Sequence, residues 1–289
     1  MKKESISKVL LATSMLIFGT LAPFVRNISV SSGELALYRA LMAAVMVGGF
    51  LIITKDRLPI KEIKKELLLL LVSGAAMGFN WILLFEAYKY TTVAVATLSY
   101  YFAPIIVTVV CPLLFRERMT KKQILCFVMS TLGLVLITGT AGGGKSDLIG
   151  IAFGLGAAML YASVMLLNKL IKGVGGLHRT LVQFIAAIIV LIPYVALTGG
   201  STLAGLDKIG IGALITVGVV HTGISYCMYF SSLKELPGQD VAILGYIDPL
   251  VAVLVSVIWL DEAITIPQII GGALVLGFTL FGELSTKSE

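Results

Sequence analysis

Asp248 interrupts an apolar run, residues 241–260, that otherwise lacks Asp, Glu, Lys and Arg, and Pro249 follows it directly. A carboxylate halfway along a helix in hydrocarbon costs about 2.5–3.5 kcal/mol on insertion scales, so it must face a cavity or a partner. There it can carry a proton or seat a substrate amine. The plainer alternative is a protonated or hydrogen-bonded carboxyl that holds a helix bend. His221 stands in the middle of the uncharged run 209–233. It could relay a proton to Asp248, because imidazole titrates near neutral pH, or act as a neutral hydrogen bonder between helices. Ser225 lies one helical turn from His221, on the same face. A serine and a histidine at that spacing are the only hint of an intramembrane hydrolase, and no third group is at hand to orient a base.

Arg39 and Glu86 also sit inside or at the ends of apolar runs. At similar depth they would form a cavity-facing ion pair or an outer gate; alternatively each reaches the headgroups independently, as long side chains do. Asn80, Trp81, Tyr101, Tyr161, Ser225 and Tyr246 add the polar and aromatic groups that a mostly apolar substrate pocket uses for orientation. Some of them could instead be packing or interfacial-belt residues. Tyr101 and Tyr246 each lie three residues before a proline, Pro104 and Pro249. Each proline removes a helix hydrogen bond and predicts a kink, hence a hinge or a static bend.

Residues 139–146 read G-T-A-G-G-G-K-S and fit the phosphate-binding pattern GxxxxGK[ST] at every position. That loop works between a strand and a helix, where backbone N–H groups meet nucleotide phosphates. Here it joins two apolar runs, so it reads as a flexible linker.

The elements that must position these groups follow from composition. Of 289 residues, 58% are apolar and only 13% charged, with a mean hydropathy of +1.00. An average soluble domain carries about 25% charge, so a soluble globular protein is excluded, and so is disorder. The uncharged runs are 9–25, 40–54, 67–85, 90–115, 123–144, 148–168, 180–206, 209–233 and 263–282, with 241–260 broken only by Asp248. Most are long enough to cross roughly 30 Å of hydrocarbon as helix. The 40–54 run is short, and its helix is expected to start near Glu34 and to carry Arg39. No dyad alternation suggests a barrel.

The net charge is +6, and the basic residues cluster between runs, a placement that serves orientation rather than nucleic acid. With the N-terminus inside, 17 of the 22 Lys and Arg fall on the inner side, 4 outside, and Arg39 within a helix. That bias predicts ten spans with both termini cytoplasmic. Lys2, Lys3 and Lys8 before the first run resemble a signal peptide, but an uncleaved first helix is the expectation. Cys111, Cys126 and Cys227 all lie within apolar runs and read as inert thiols.

Sliding the sequence on itself by 145 residues brings Gly78 onto Gly223, Phe85 onto Phe230 and Lys89 onto Lys234. It also brings Tyr101 onto Tyr246, Pro104 onto Pro249, and Glu117, Thr120, Gln123 and Ile124 onto Glu262, Thr265, Gln268 and Ile269. Each half then holds five helices, and an odd number inverts the second half. Inverted repeats with a midplane site between them mark secondary transporters.

The segment Phe85–Gln123 contains F-E-A-Y-K-Y-T-T-V-A-V-A-T-L-S-Y-Y-F-A-P and then R-E-R-M-T-K-K-Q; its second copy carries Asp248-Pro249 and Asp261-Glu262. This resembles the EamA family of the drug/metabolite transporter superfamily, in two copies over nearly the whole chain. The resemblance implies an all-α membrane protein of ten transmembrane helices in two inverted five-helix repeats. It implies export of amino acids or other small metabolites, with a cavity lined mainly by the third, fourth, eighth and ninth helices. Glu86 and Asp248 depart from the family, where uncharged residues are commoner.

The expectation is therefore a first repeat over 1–140, a Gly-rich linker over 141–147, a second repeat over 148–285 and a cytoplasmic tail over 286–289. The function expected is export of a small metabolite, an amino acid above others, across the cell membrane by alternating access. Efflux of organic cations or drugs, metabolite uptake and, remotely, an intramembrane enzyme are the alternatives. The expected substrate-binding set is Asn80, Trp81, Glu86, Tyr101, Tyr161, His221, Ser225, Tyr246 and Asp248. Coupling or gating falls to Asp248, His221, Arg39 and Glu86, and the hinges to Pro104 and Pro249. No catalytic residue, metal, cofactor or nucleic acid is expected. The partners are a small-molecule substrate, the lipid bilayer and protons as a candidate coupling ion, in a monomer or homodimer.

Overall fold

A computed structural model describes residues 2–115, 120–140, 145–233, 235–236 and 238–285. Among the described residues there are ten helical rods, two short helical turns at Ile60–Lys65 and Leu203–Gly205, and no strand. They are α1 (Lys2–Gly19 continued by Leu21–Arg26), α2 (Ser32–Ile53), α3 (Leu67–Tyr90) and α4 (Val93–Tyr100 continued by Ala103–Phe115). Then come α5 (Lys121–Thr140), α6 (Lys145–Leu170) and α7 (Gly176–Leu197). α8 is Lys208–Gly218, a π-helical turn Val219–Ile224, and Ser225–Leu233. α9 is Gly238–Gly245 continued by Ile247–Ile258, and α10 is Ile266–Ser285. Seven of the rods are long and apolar enough to cross a membrane by length and composition, and α9 and α10 contain shorter apolar runs.

Three rods break, each for the same reason. A proline ring clashes with the carbonyl four residues back. Counting back from Pro23, Pro104 and Pro249 gives Gly19, Tyr100 and Gly245, and each is the last residue before its break. Tyr101 and Tyr246 thus stand in the breaks themselves. Pro104 and Pro249 fall in the first turn of the resumed helix, where a missing N–H is no loss.

The helix starts are built from local sequence. Ser31 and Glu34 form a capping box at α2. The repeat matches Thr120/Gln123 and Thr265/Gln268 are capping boxes too: the backbone N–H of each threonine donates to its glutamine, and the threonine hydroxyl accepts in return. Their recurrence therefore marks helix starts.

The packing of the rods respects the 145-residue shift. The pairs α3–α6 and α8–α1 both pack, as do α3–α7 and α8–α2, and α4–α6 and α9–α1. The pairs α2–α7, α4–α9 and α5–α10 map onto themselves. In detail, Gly78 lies against Leu191 while Gly223 lies against Met46, and the 145-residue shift relates both partners. The Gly74/Gly78 and Gly150/Gly154 spacings mark close approaches: the first pair meets Gln183, Ala186 and Leu191 of α7, the second Thr91 and, on α4, Ser99. Residues 141–144 of the expected linker lie outside the described residues. Lys145, Ser146 and Asp147, expected in the linker, form the first turn of α6. There Ser146 donates to the Tyr90 carbonyl (2.8 Å) and Asp147 accepts from Thr91 (2.9 Å).

Candidate functional site between the two halves

Arg39 sits two turns beyond the capped start of α2 and is 4% exposed. Its Nε donates to Thr222 Oγ1 at 2.7 Å, and its guanidinium carbon lies 4.5 Å from the Trp81 ring centroid and 5.7 Å from that of Phe85. These are cation–π distances. Its two terminal nitrogens have no acceptor, and it forms no ion pair, among the described residues. The expected partner, Glu86, instead binds Lys89 on its own helix at 2.9 Å. Depth alone suggested that pairing; helix rotation turns Arg39 inward and Glu86 away from it.

Thr222 is available because α8 winds into a π turn. Thr222 Oγ1 donates to the Val217 carbonyl and Ser225 Oγ to the Val220 carbonyl, each five residues back. Such turns are frequent at functional sites. His221, 2% exposed, belongs to the same turn. Its Nε2 meets Thr20 Oγ1 at 3.1 Å, its Nδ1 meets the Thr216 carbonyl at 3.3 Å, and its ring lies against Phe24. The carbonyl only accepts, so Nδ1 carries a hydrogen. His221 does not touch Asp248 directly, and Ser225 does not bond His221, so neither the relay pair nor a serine–base pair is formed.

Asp248 accepts a hydrogen bond from Tyr101 at 2.5 Å, which joins the break region of α9 to the break of α4. Its other oxygen has no protein donor among the described residues. The bend of α1 comes equally close. A Cβ added to Gly19 would lie 2.7 Å from the Asp248 carbonyl oxygen. Tyr100, Tyr101, Tyr226 and Asp248 are all half-buried, and Tyr100 packs edge-on against Tyr101.

The remaining expected residues pack around these groups or tie the helices together. Trp81 is 5% exposed beneath Arg39 and packs on Phe184, which packs on Tyr226. Tyr161 stacks on Tyr100 at 5.2 Å. Tyr246 packs with Tyr101 in a smaller core around Leu98 and Val275. Asn80 donates to the Ala157 carbonyl at 2.6 Å and ties α3 to α6. Thr20, Thr222 and Phe184 were not anticipated. The repeat could have exposed Phe184, because the 145-residue shift puts it opposite Arg39 and puts Tyr226 opposite Trp81.

One end of the bundle is fastened. Glu262, after α9, meets Arg26 Nη2 at 2.5 Å and accepts from the Val93 N–H at 2.8 Å, at the start of α4. Ser256 also donates to Glu262, and the Ala94 N–H reaches Ser256 at 3.3 Å. Arg26 further donates to the Tyr88 carbonyl. Beside this clasp a crevice of about 150 Å³ has Phe85 and Tyr88 in its wall. Phe85 is 1% exposed and separates the crevice from Arg39.

The EamA-like transporter family model matches this chain twice, over residues 6–139 and 148–281. An uncharacterized transporter of Bacillus subtilis, YxxF, is 28% identical over 261 residues, covering 89% of this chain and 83% of its own length. An uncharacterized transporter of Archaeoglobus fulgidus is 28% identical and covers 92% of both chains. Protein PecM of Dickeya dadantii is 25% identical over 81% of this chain and 78% of its own. A solved crystal structure shares the fold with a TM-score of 0.66 over 98% of both chains, at 16% identity. With both halves matched, the chain belongs to the EamA-like transporter family, and it is a multi-pass membrane transporter.

Proposed function

We propose that this transporter exports a small metabolite, an amino acid above others, across the cell membrane by alternating access. The observation that carries the reading is the pair of charged side chains set within the helix bundle, Arg39 and Asp248. One comes from each half of the chain, and both are held where a charge has no packing value. The exchange of helix pairs under the 145-residue shift supports an inverted repeat, the architecture in which two halves rock about a midplane site. The Lys and Arg distribution supports cytoplasmic termini. On that orientation the Arg26–Glu262 clasp closes the outer end, the state in which an exporter loads from the cytoplasm. Asp248 is the candidate proton carrier; facilitated diffusion needs no such step.

The test is flux. Cells overproducing the protein are loaded with amino acids from dipeptides, and excretion is followed by mass spectrometry; the purified protein is then assayed in liposomes. Faster excretion of at least one amino acid, reproduced as counterflow in liposomes, is expected. Equal excretion with and without the protein, and no flux in liposomes for any solute, would overturn the reading.

A further inference from the structure

A groove of about 510 Å³ opens on the outer face of the bundle between α1, α2 and α8. α2 contributes Val45, Met46, Gly49, Phe50 and Ile53, one helix face at successive turns. Leu10 of α1 and Ile224 of α8 flank it, and Ser231 is its only hydroxyl among the described residues. Val45 is 74% and Ile53 82% exposed, so no described part of the chain covers the stripe. From Val45 to Ile53 it runs about 12 Å along α2, most of the roughly 15 Å that one leaflet gives to the hydrocarbon core. Gly49 keeps it open: a Cβ added there would meet nothing within 4 Å.

The groove's mouth lies at one end of the bundle, where Ile53 ends α2 and Ser231 approaches the end of α8. Lys55 and Arg57 follow Ile53, and Lys3 lies on the Leu10 face of α1, about two turns nearer its start. All three cations are exposed and form no ion pair among the described residues. The acidic groups nearby are engaged, Glu4 and Asp240 by Lys8 and Asp56 by His178. Lys55 also stands against backbone preference. Its φ is 54°, its N–H bonds the Ile52 carbonyl, and the next N–H bonds the Leu51 carbonyl. Glycine is the usual residue at that position of a helix end, so the side chain accounts for a lysine there.

An open apolar groove forfeits dispersion contacts, and in a bilayer an acyl chain fills it. Tails alone do not discriminate, being as apolar as the wall; the headgroup does. A second copy of the chain is the poorer occupant, because a two-fold contact sets one patch against itself and would bring the cations together. We infer that the groove binds one anionic phospholipid, with an acyl chain along α2 and the phosphate at Lys55, Arg57 and Lys3. On the orientation that the Lys and Arg distribution supports, the lipid comes from the cytoplasmic leaflet, the one with negative surface potential. The deep end reaches Ile224, the last residue of the π turn that sets Thr222 against Arg39. The bound chain thus braces that turn from outside, whatever solute is transported.

The experiment is native mass spectrometry of the purified full chain, titrated with phosphatidylglycerol and phosphatidylcholine of identical acyl chains. One phosphatidylglycerol per chain should be retained, preferred at least about fivefold, the effect of a single surface cation. Lys55→Gln with Arg57→Gln should remove most of that preference. Gly49→Leu should lose the retained lipid, whereas Gly48→Leu, beside the groove but outside its wall, should keep it. A Cβ at either glycine meets nothing within 4 Å, so both variants should fold, which the Tm without added lipid checks. Equal retention of the two lipids by the unaltered chain overturns the inference. So does phosphatidylglycerol undiminished by Gly49→Leu, or lost equally in both glycine variants. A Cys227–Cys227 crosslink in membranes, with Cys111 and Cys126 replaced by serine, would put a second copy in the groove and overturn it too.

Discussion

Glu262 joins three elements through one carboxylate, so its removal should loosen one end of the bundle more than any other polar change there. The side chain is 9% exposed and its partner Arg26 34%. A charge-assisted bond such as that from the Val93 N–H is worth about 1.5–3 kcal/mol. A carboxylate at the start of a helix adds about 0.3–1 kcal/mol through the helix dipole. The ion pair adds at most about 1 kcal/mol, because Arg26 is partly solvated. Glu262→Ala should therefore cost about 2–5 kcal/mol in the closed state. Glu262→Gln, which keeps an acceptor for Val93, should cost about half of that. If the clasp exists only while this end is shut, a loss of about 2 kcal/mol shifts the open-to-closed ratio roughly thirtyfold. Ala94, 4% exposed behind the clasp, supplies the reporter. In a background with Cys111, Cys126 and Cys227 replaced by serine, Ala94→Cys should react with an impermeant maleimide at least about tenfold faster once Glu262→Ala is added. Glu262→Gln should give an intermediate rate. An unchanged labelling rate alongside a lowered Tm would refute gating and leave Glu262 as a structural brace.

Three further outcomes are expected. Gly19→Ala places a Cβ 2.6 Å from Val251 Cβ and should lower the Tm sharply, whereas Gly48→Ala meets nothing within 4 Å and should be neutral or raise it, since alanine is the better helix former. The charge swap Arg39→Glu with Glu86→Arg should perform no better in flux than Arg39→Glu alone, because the two side chains do not pair; rescue would contradict the described geometry. Lys145→Ala should leave flux unchanged and should not alter nucleotide binding measured by ITC, because Ser146 and Asp147 already bond the end of α3.

The division into ten rods was legible because charge is scarce and, Arg39 and Asp248 apart, gathered near rod ends. The repeat was legible where local chemistry demands fixed residues: prolines that break α4 and α9, and the threonine–glutamine boxes that start α5 and α10. Side-chain pairing was not legible, and the reason is rotational. A membrane helix such as α3 is apolar on every face, so sequence gives the depth of Glu86 but not its direction. The same uncertainty made His221 and Asp248 look like partners. The π turn adds a second obstacle. It redirects Thr222 toward Arg39 by shifting hydrogen bonds to carbonyls five residues back, and no residue type announces it.

What the repeat does reveal is where symmetry fails. Under the 145-residue shift Arg39 corresponds to Phe184, Asp248 to Ala103 and His221 to Ala76. The scaffold is duplicated while the polar groups are not. Duplication is what rocking requires, since closing one end must be energetically close to closing the other. Recognition has no such need, because a ligand with a positive and a negative end has no two-fold axis. A symmetric pair of arginines would leave two buried charges of one sign, and a symmetric pair of aspartates two of the other. One charge from each half, Arg39 and Asp248, instead puts both signs inside the bundle at no net charge.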